Sequence, residues 1–416
     1  PMDTVTIGKK VYKVKAPEIQ RIFREYTHGE GRITTLGVTL PKEDEEKYIL
    51  VGTSTGRVYL HDPWGDVDEK EEGPYFDKVV YRNPDRKSIT SVGGFCDVNK
   101  KDPKSTEHLI FVQVREFGVI ILRDLRHKPK EIAGMKYYFK EIKRIESDHC
   151  GFCPVRSYMR KLFMPTSDHF LLVYQNGEID NILLKSKGSP MCMDLIGDNV
   201  VVGSEDGNVC IYKNDDSYVI SKVFDSPIFS LVIYASKWIV VGTVGEPIKV
   251  MEEKEVDEKC IQPKYETKQM QEKREKKGLP RENEEVIKKK RTLLEVTRID
   301  FPAEARACGA LTYTLHDGQG AALTCAFNRT FIAGFWDGSI RIYRQKKGCR
   351  EFMETGVIES ESRNSTTSLV WLVDNQLYSA CEDGNLYLHE IFKTELLPTQ
   401  PDEMAEDVNK MALQHK

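Results

Sequence analysis

Along this chain, short apolar runs alternate with polar residues at a period of two, and the runs come in pairs joined by a tight polar turn. Three pairs share one wording: a hydrophobic run, a small residue, an acidic residue with glycine, then an alternating run closed by a ring. Residues 200–212 read VVVGSEDGNVCIY, residues 331–343 read FIAGFWDGSIRIY, and residues 377–389 read LYSACEDGNLYLH. Asp-Gly between two alternating runs predicts a hairpin, because the turn joining twisted strands needs positive φ and glycine adopts it without steric penalty. Fainter copies over 48–61, 108–122, 170–184 and 238–250 turn at Thr55-Gly56, Phe117-Gly118, Asn176-Gly177 and Val244-Gly245. That makes about seven hairpins.

Most hairpins are preceded by a further strand-like run, at 33–39, 89–95, 191–195, 228–233, 323–327 and 368–373. Several are also followed by one, at 75–81, 137–145, 218–224 and 352–358. Each unit thus offers about four antiparallel strands in roughly 40 to 45 residues, and such units stack radially because none can bury its hydrophobic faces alone. The pattern predicts an all-β fold, a seven-bladed propeller. In these residues the chain resembles the WD-repeat β-propeller family. The most family-like unit is 316–343, where His316 precedes the expected inner strand, Gly334 follows the second, and Asp337-Gly338 makes the turn. The resemblance implies that His316 and Asp337 are hydrogen-bond partners holding that blade. The tryptophan that closes the family's repeat is replaced by Tyr343, Tyr212, His389 and His61, so no unit carries the full pattern.

The propeller is expected to span residues 33–392 of the 416. Ahead of it, over 1–32, residues 5–14 alternate as a strand and are expected to complete the last blade, removing an aggregation-prone edge. Ile19, Ile22, Phe23 and Tyr26 fall at helical spacing behind Pro17 and predict a short helix. Met404, Val408 and Met411 predict a second in the tail, 393–416. Residues 252–295 form a charged insertion whose apolar residues are too sparse for a core, expected as a solvated helical or disordered loop. Within it, Lys273, Arg274, Lys276 and Lys277, and Lys288, Lys289, Lys290 and Arg291, are basic clusters suited to phosphate contact or a nuclear address.

A net charge of −4 argues against wholesale coating of nucleic acid, leaving only those local patches. The ten cysteines are scattered, without the spacing of a secreted disulfide scaffold, and suit a reducing compartment. No leader-like or bilayer-length apolar run is visible, so a cytoplasmic or nuclear protein without membrane contact is expected. The opening Pro1-Met2 reads as a scar ahead of the native start.

Candidate chemistry is thin. Gly52-Thr53-Ser54-Thr55-Gly56 matches a hydrolase nucleophile elbow, but a strand follows it where an elbow needs a helix, so it reads as a hairpin turn. His149-Cys150-Gly151-Phe152-Cys153 holds a close cysteine pair without the second knuckle of a structural zinc site. His316 with Asp337 could prepare a general base, but the repeat explains the pair as structural. No cofactor, metal or small-molecule substrate is expected.

What remains is surface. In the resembled family, turns between second and third strands share one face with the loops entering the inner strands, and partners dock there. Here those turns carry Trp336 with Phe335, Arg115 with Phe117, Tyr174, and acidic Glu205 and Glu382. Aromatic residues and arginine are the types that anchor interfaces. The expectation is a noncatalytic scaffold binding a protein segment in a larger complex. The alternative is a nucleic-acid-associated subunit using the insertion together with Arg341, Arg344, Lys346, Lys347 and Arg350, and a propeller enzyme with polar groups in its channel is a weaker third.

Overall fold

The computed structural model describes residues 4–7, 10–13, 18–20, 31–40, 47–61, 78–99, 102–125, 130–132, 135–137, 139–158, 160–196, 199–213, 218–234, 237–263, 268–278, 283–313, 330–345, 349–359, 364–372, 376–390 and 397–398. Seven four-stranded antiparallel sheets form a ring of blades. From the channel outward, blade one comprises Ile33–Val38, Ile49–Thr53, Arg57–His61 and Lys78–Arg82, and blade two Ile89–Asn99, Asp102–Val114, Gly118–Asp124 and Phe139–Glu146. Blade three comprises Arg156–Tyr158, Lys161–Pro165, Phe170–Gln175 and Glu178–Leu183, and blade four Pro190–Ile196, Asn199–Ser204, Asn208–Tyr212 and Tyr218–Lys222. Blade five comprises Ser230–Tyr234, Trp238–Gly242, Ile248–Pro263 and Asn283–Ile299, and blade six Cys308–Tyr313, Thr330–Phe335, Ile340–Gln345 and Phe352–Ile358. Blade seven comprises Thr366–Trp371, Gln376–Cys381, Leu386–Glu390 and, from the other end of the chain, Glu18–Gln20.

The core is divided among the blade interfaces. Val51, Tyr59, Tyr378 and Leu388 pack between blades seven and one, while Leu50, Leu60, Val112 and Ile120 pack between one and two. Successive residues of a strand therefore serve opposite interfaces, which is why Ile49–Thr53, Ser230–Tyr234 and Trp238–Gly242 are buried along their whole length. Each such aliphatic side chain removed from water contributes on the order of 1.5–3 kcal/mol.

Around the channel, polar side chains stitch neighbouring inner strands. Thr34 Oγ1 donates to the Ile89 carbonyl at 2.5 Å, Ser91 Oγ to Val155 at 3.2 Å, Ser230 Oγ to Cys308 at 2.9 Å, and Thr367 Oγ1 to Ile33 at 3.0 Å. Between blades four and five the acceptor is a carboxylate: Asp194 Oδ2 takes the Ile233 N–H at 2.8 Å. These bonds satisfy backbone groups that a fifth strand would otherwise occupy.

Four elements depart from the sequence pattern. The amino-terminal chain does close blade seven, but through Glu18–Gln20, where a helix was expected; Thr4–Ile7 and Lys10–Lys13 instead form a small sheet with Leu397–Pro398. Three residues cannot separate the two periods, and the free edge of Leu386–Glu390 selects the extended form. Residues 21–30 and 399–416 lie outside the described residues, and with them the tail helix. In blade three the Asn176-Gly177 turn joins the third and fourth strands, not the second and third. In blade six the inner strand is Cys308–Tyr313, so His316 follows it, and His316 and 323–327 lie outside the described residues.

The insertion is the largest correction. Ile248–Pro263 and Asn283–Ile299 pair from Ile248 opposite Ile299 to Pro263 opposite Asn283, with one register shift between Val250 and Met251, so blade five runs out into a two-stranded ribbon. Helix Lys268–Lys276 lies between the two strands at its far end. Opposite charges explain the pairing. Glu255, Asp257 and Glu258 stand across from Arg291, Lys289 and Lys288, and the ion pairs Lys290–Glu258 and Arg291–Glu253 span 2.9 and 3.7 Å. No described helix is long and apolar enough to cross a membrane.

Candidate functional site

One face of the ring gathers the turns between second and third strands together with the loops that enter the inner strands. Backbone bonds tie the two sets: Ser54 N–H to the Arg32 carbonyl at 2.8 Å, Arg115 to Ser88 at 2.9 Å, Ser167 to His149 at 2.8 Å, Glu205 to Ser189 at 2.8 Å, Trp336 to Ala307 at 3.1 Å and Glu382 to Ser365 at 3.0 Å. In three blades the turn aspartate stiffens its own bend, Oδ1 of Asp206, Asp337 and Asp383 accepting the N–H two residues on. Asp337 also takes the Ser339 hydroxyl at 2.7 Å. Burial works to raise the Asp206 carboxyl, but hydrogen bonds from Asn208, Gly188 and Ser186 outweigh it and hold the group below its ordinary pKa.

At the centre of the ring lies a cavity of about 720 Å³ lined by inner strands. Its ionisable lining residues include Arg156 and Asp194, from blades three and four. Burial pushes the Asp194 carboxyl up, opposed by the Arg156 guanidinium and by the N–H groups of Ile233 and Leu195. The lining extends to Phe152, Pro154, Phe229 and Gly309, where the loops enter the inner strands.

Aromatic rings crowd that end. Phe152 is 57% exposed, and the Arg115 guanidinium sits 4.2 Å from its centroid. Trp336, 38% exposed, meets Phe229 edge to face at 5.7 Å. Its indole lies so close to Gly309 that a Cβ there would fall 2.9 Å from Nε1. Beyond the aromatic rings, Arg32 and Glu382 form an exposed ion pair at 3.2 Å.

The expected docking residues divide. Trp336, Arg115, Glu205 and Glu382 lie on this face, Trp336 against Phe229 and Arg115 over Phe152. Phe335 does not: it points into the core between blades five and six, against Phe301 at 4.9 Å, because strand alternation sends it opposite to Trp336. Phe117 is half-buried against the blade one–two core, under Arg144. Tyr174 is buried between blades two and three, its hydroxyl 3.3 Å from Asp97, and desolvation followed by Asp97 pushes its pKa up to about 12. The register of blade three explains the difference, since its second-to-third turn is Ser167–His169 in place of Asn176-Gly177.

Sequence reasoning missed Phe152, Phe229, Arg156 and Asp194. Phe152 was visible inside the cysteine pair, which is what positions it. Gln113, fully buried, donates to the Cys153 carbonyl at 3.0 Å and Cys150 Sγ at 3.3 Å and accepts the Val155 N–H at 3.1 Å. Both thiols are raised by desolvation, Cys153 strongly. Among the described residues no group of three or more His, Cys, Asp or Glu side chains is arranged to hold a metal. Ser54 of the elbow-like pentapeptide accepts the Arg32 N–H at 2.9 Å, a turn contact.

The basic clusters of the insertion lie elsewhere. Its third-to-fourth-strand connection leaves from the side opposite the aromatic cluster, by strand direction. Lys289, Lys290 and Arg291 face carboxylates of their own ribbon. Lys273, Arg274 and Lys276 occupy the last turn of the end helix, where cations complement its dipole, and Lys277 follows. Arg341 is paired with Glu354 at 2.8 Å.

Ring and loop face together define a seven-bladed β-propeller with an aromatic-lined channel mouth. No family model and no curated protein matches the chain. Among solved structures it is similar to the crystal structure of the computationally designed Ika8 protein, at 13% identity and a TM-score of 0.47, covering 89% of this chain and 100% of that one.

Proposed function

We propose that this protein is a noncatalytic, divergent WD-repeat-like scaffold that holds a segment of a partner protein across the aromatic mouth of its channel, within a multi-subunit assembly. The observations carrying this reading are the exposed Phe152 under the Arg115 guanidinium and the edge-to-face pair of Phe229 with the part-exposed Trp336, with Phe152 and Phe229 both lining the mouth of the channel. Rigid aromatic rings bury much area at small conformational cost, and their loops are pinned by backbone bonds, so little ordering remains to oppose association. The polar rim of Arg32, Glu382, Glu205 and Glu116 would set register more than strength. The test is affinity purification with mass spectrometry on the parent chain, Trp336→Ala and Phe152→Ala. Loss of a common set of proteins in both variants supports the reading, and an unchanged set in both discredits it.

The second reading, contact with nucleic acid, rests on Lys273, Arg274, Lys276 and Lys277 at the end of the ribbon. Binding through them would fall steeply with added salt and vanish on their joint substitution, whereas aromatic docking would change little with salt.

A further inference from the structure

A propeller has an outer edge strand in every blade, and this chain protects most of them against strand addition. Blade one's outer strand carries Lys78 and Arg82 and pairs through a register shift. Blade two's carries Lys140, Lys143 and Arg144, also with a shift. Blade four's is covered by the base of the ribbon, Ser221 Oγ taking the Leu293 N–H at 2.9 Å. The ribbon's own free strand contains Lys288, Lys289, Lys290 and Arg291. Blade six's pairs through a register shift opposite Ile342 and Tyr343 of the third strand and contains Gly356, and blade seven's is three residues long. Lysine, irregularity, shortness and cover are the devices by which sheets avoid edge pairing.

Blade three has none of them. Glu178–Leu183, EIDNIL, is exposed at all six positions, pairs with Phe170–Gln175 without a register shift, and contains no Lys, Arg, Pro or Gly. Among the described residues no strand pairs with its outer side. Ile179 and Leu183 are 40% and 50% exposed, and Phe170, directly opposite Leu183, is also exposed. The two charges of the strand, Glu178 and Asp180, are both negative.

We infer that blade three's outer strand is a second docking edge, distinct from the channel mouth, which accepts an extended peptide of alternating basic and apolar residues as a fifth antiparallel strand. Main-chain hydrogen bonds supply affinity, the apolar side chains of the peptide cover Ile179 and Leu183 on one face of the strand, and its cations answer Glu178 and Asp180 on the other, the face that Ile182 shares. A second copy of the same strand is the poorer occupant, because it brings two further carboxylates to the same edge.

The test titrates the full chain into a fluorescein-labelled Lys-Val-Lys-Val-Lys-Val peptide and follows anisotropy. Expected are saturable binding, a loss of about tenfold or more with Ile182→Lys, a similar loss with Asp180→Lys, and no change with Met353→Lys on blade six's edge. A peptide N-methylated along its pairing edge should not bind. Absence of saturable binding overturns the inference, as does equal binding of the N-methylated peptide or of a Glu-Val-Glu-Val-Glu-Val peptide. Sedimentation showing a dimer that Ile182→Lys abolishes also overturns it, assigning the edge to a second copy. Because Asp180→Lys alters charge without removing an apolar contact, it remains readable if Ile182→Lys disturbs folding.

Discussion

The Ser379 hydroxyl and Nε2 of His389 meet at 2.7 Å in the buried middle of blade seven, joining its second strand to the end of its third. His389 stands where the repeat closes with a ring, and its imidazole there bonds the preceding strand. Burial lowers the His389 pKa from 6.5 to about 4. The folded chain therefore binds this proton less readily than the unfolded chain. Its contribution is fully present above pH 6.5 and is lost as pH falls from 6.5 towards 4. At about 1.4 kcal/mol per pH unit, the loss between pH 7.5 and 5 amounts to about 2 kcal/mol. Urea denaturation at the two pH values should show this gap, and His389→Gln should narrow it while lowering stability at both.

Gln113 links the interior to the loop face. Its amide satisfies the loop that presents Phe152 through three bonds made in full burial. Gln113→Leu leaves the Val155 N–H and the Cys153 carbonyl without their partner, at a cost of about 2–4 kcal/mol. Hydrogen exchange should accelerate over 150–155 before it changes in blades five to seven, and any partner captured through Phe152 should be lost alongside.

At Gly37 the inner strands of blades one and two lie in close contact. A Cβ there would lie 2.0 Å from the Val92 carbonyl oxygen, and that oxygen belongs to backbone with little room to retreat. Gly37→Ala should cost about 3 kcal/mol or more and lower the melting temperature, whereas Gly151→Ala, with its nearest atom 3.9 Å away, should have a far smaller effect.

The ribbon of blade five pairs chiefly with itself beyond Leu293, the point at which it still enters the blade four–five core. Replacing residues 256–290 by an Asn-Gly turn should leave the denaturation midpoint nearly unchanged. A two-stranded ribbon held by exposed ion pairs contributes little, each such pair being worth about 0.2–1 kcal/mol. A large drop would mean that the ribbon supports the ring.

The second and third strands of six blades were legible because a hairpin is local: an Asp-Gly or similar turn and a period of two suffice, as at Ser204 to Asn208 or Cys381 to Leu386. The outer strands at 78–82 and 352–358 were legible for the same reason. Loop-face placement of Trp336, Arg115, Glu205 and Glu382 followed from those turns.

What only the tertiary structure decided is which strand each hairpin meets and which way each ring points. Asn176-Gly177 is a good turn between any two strands, and the three-residue Arg156–Tyr158 is too short to announce itself, so the register of blade three, and with it Tyr174, depended on partners far along the chain. Glu18–Gln20 became a strand because Leu386–Glu390 offered an open edge, and the charged insertion became a ribbon because its acidic and basic halves face each other only when paired. Local pattern specifies period and turn; the closure of a ring is a relation between segments distant in sequence, and no single segment encodes it.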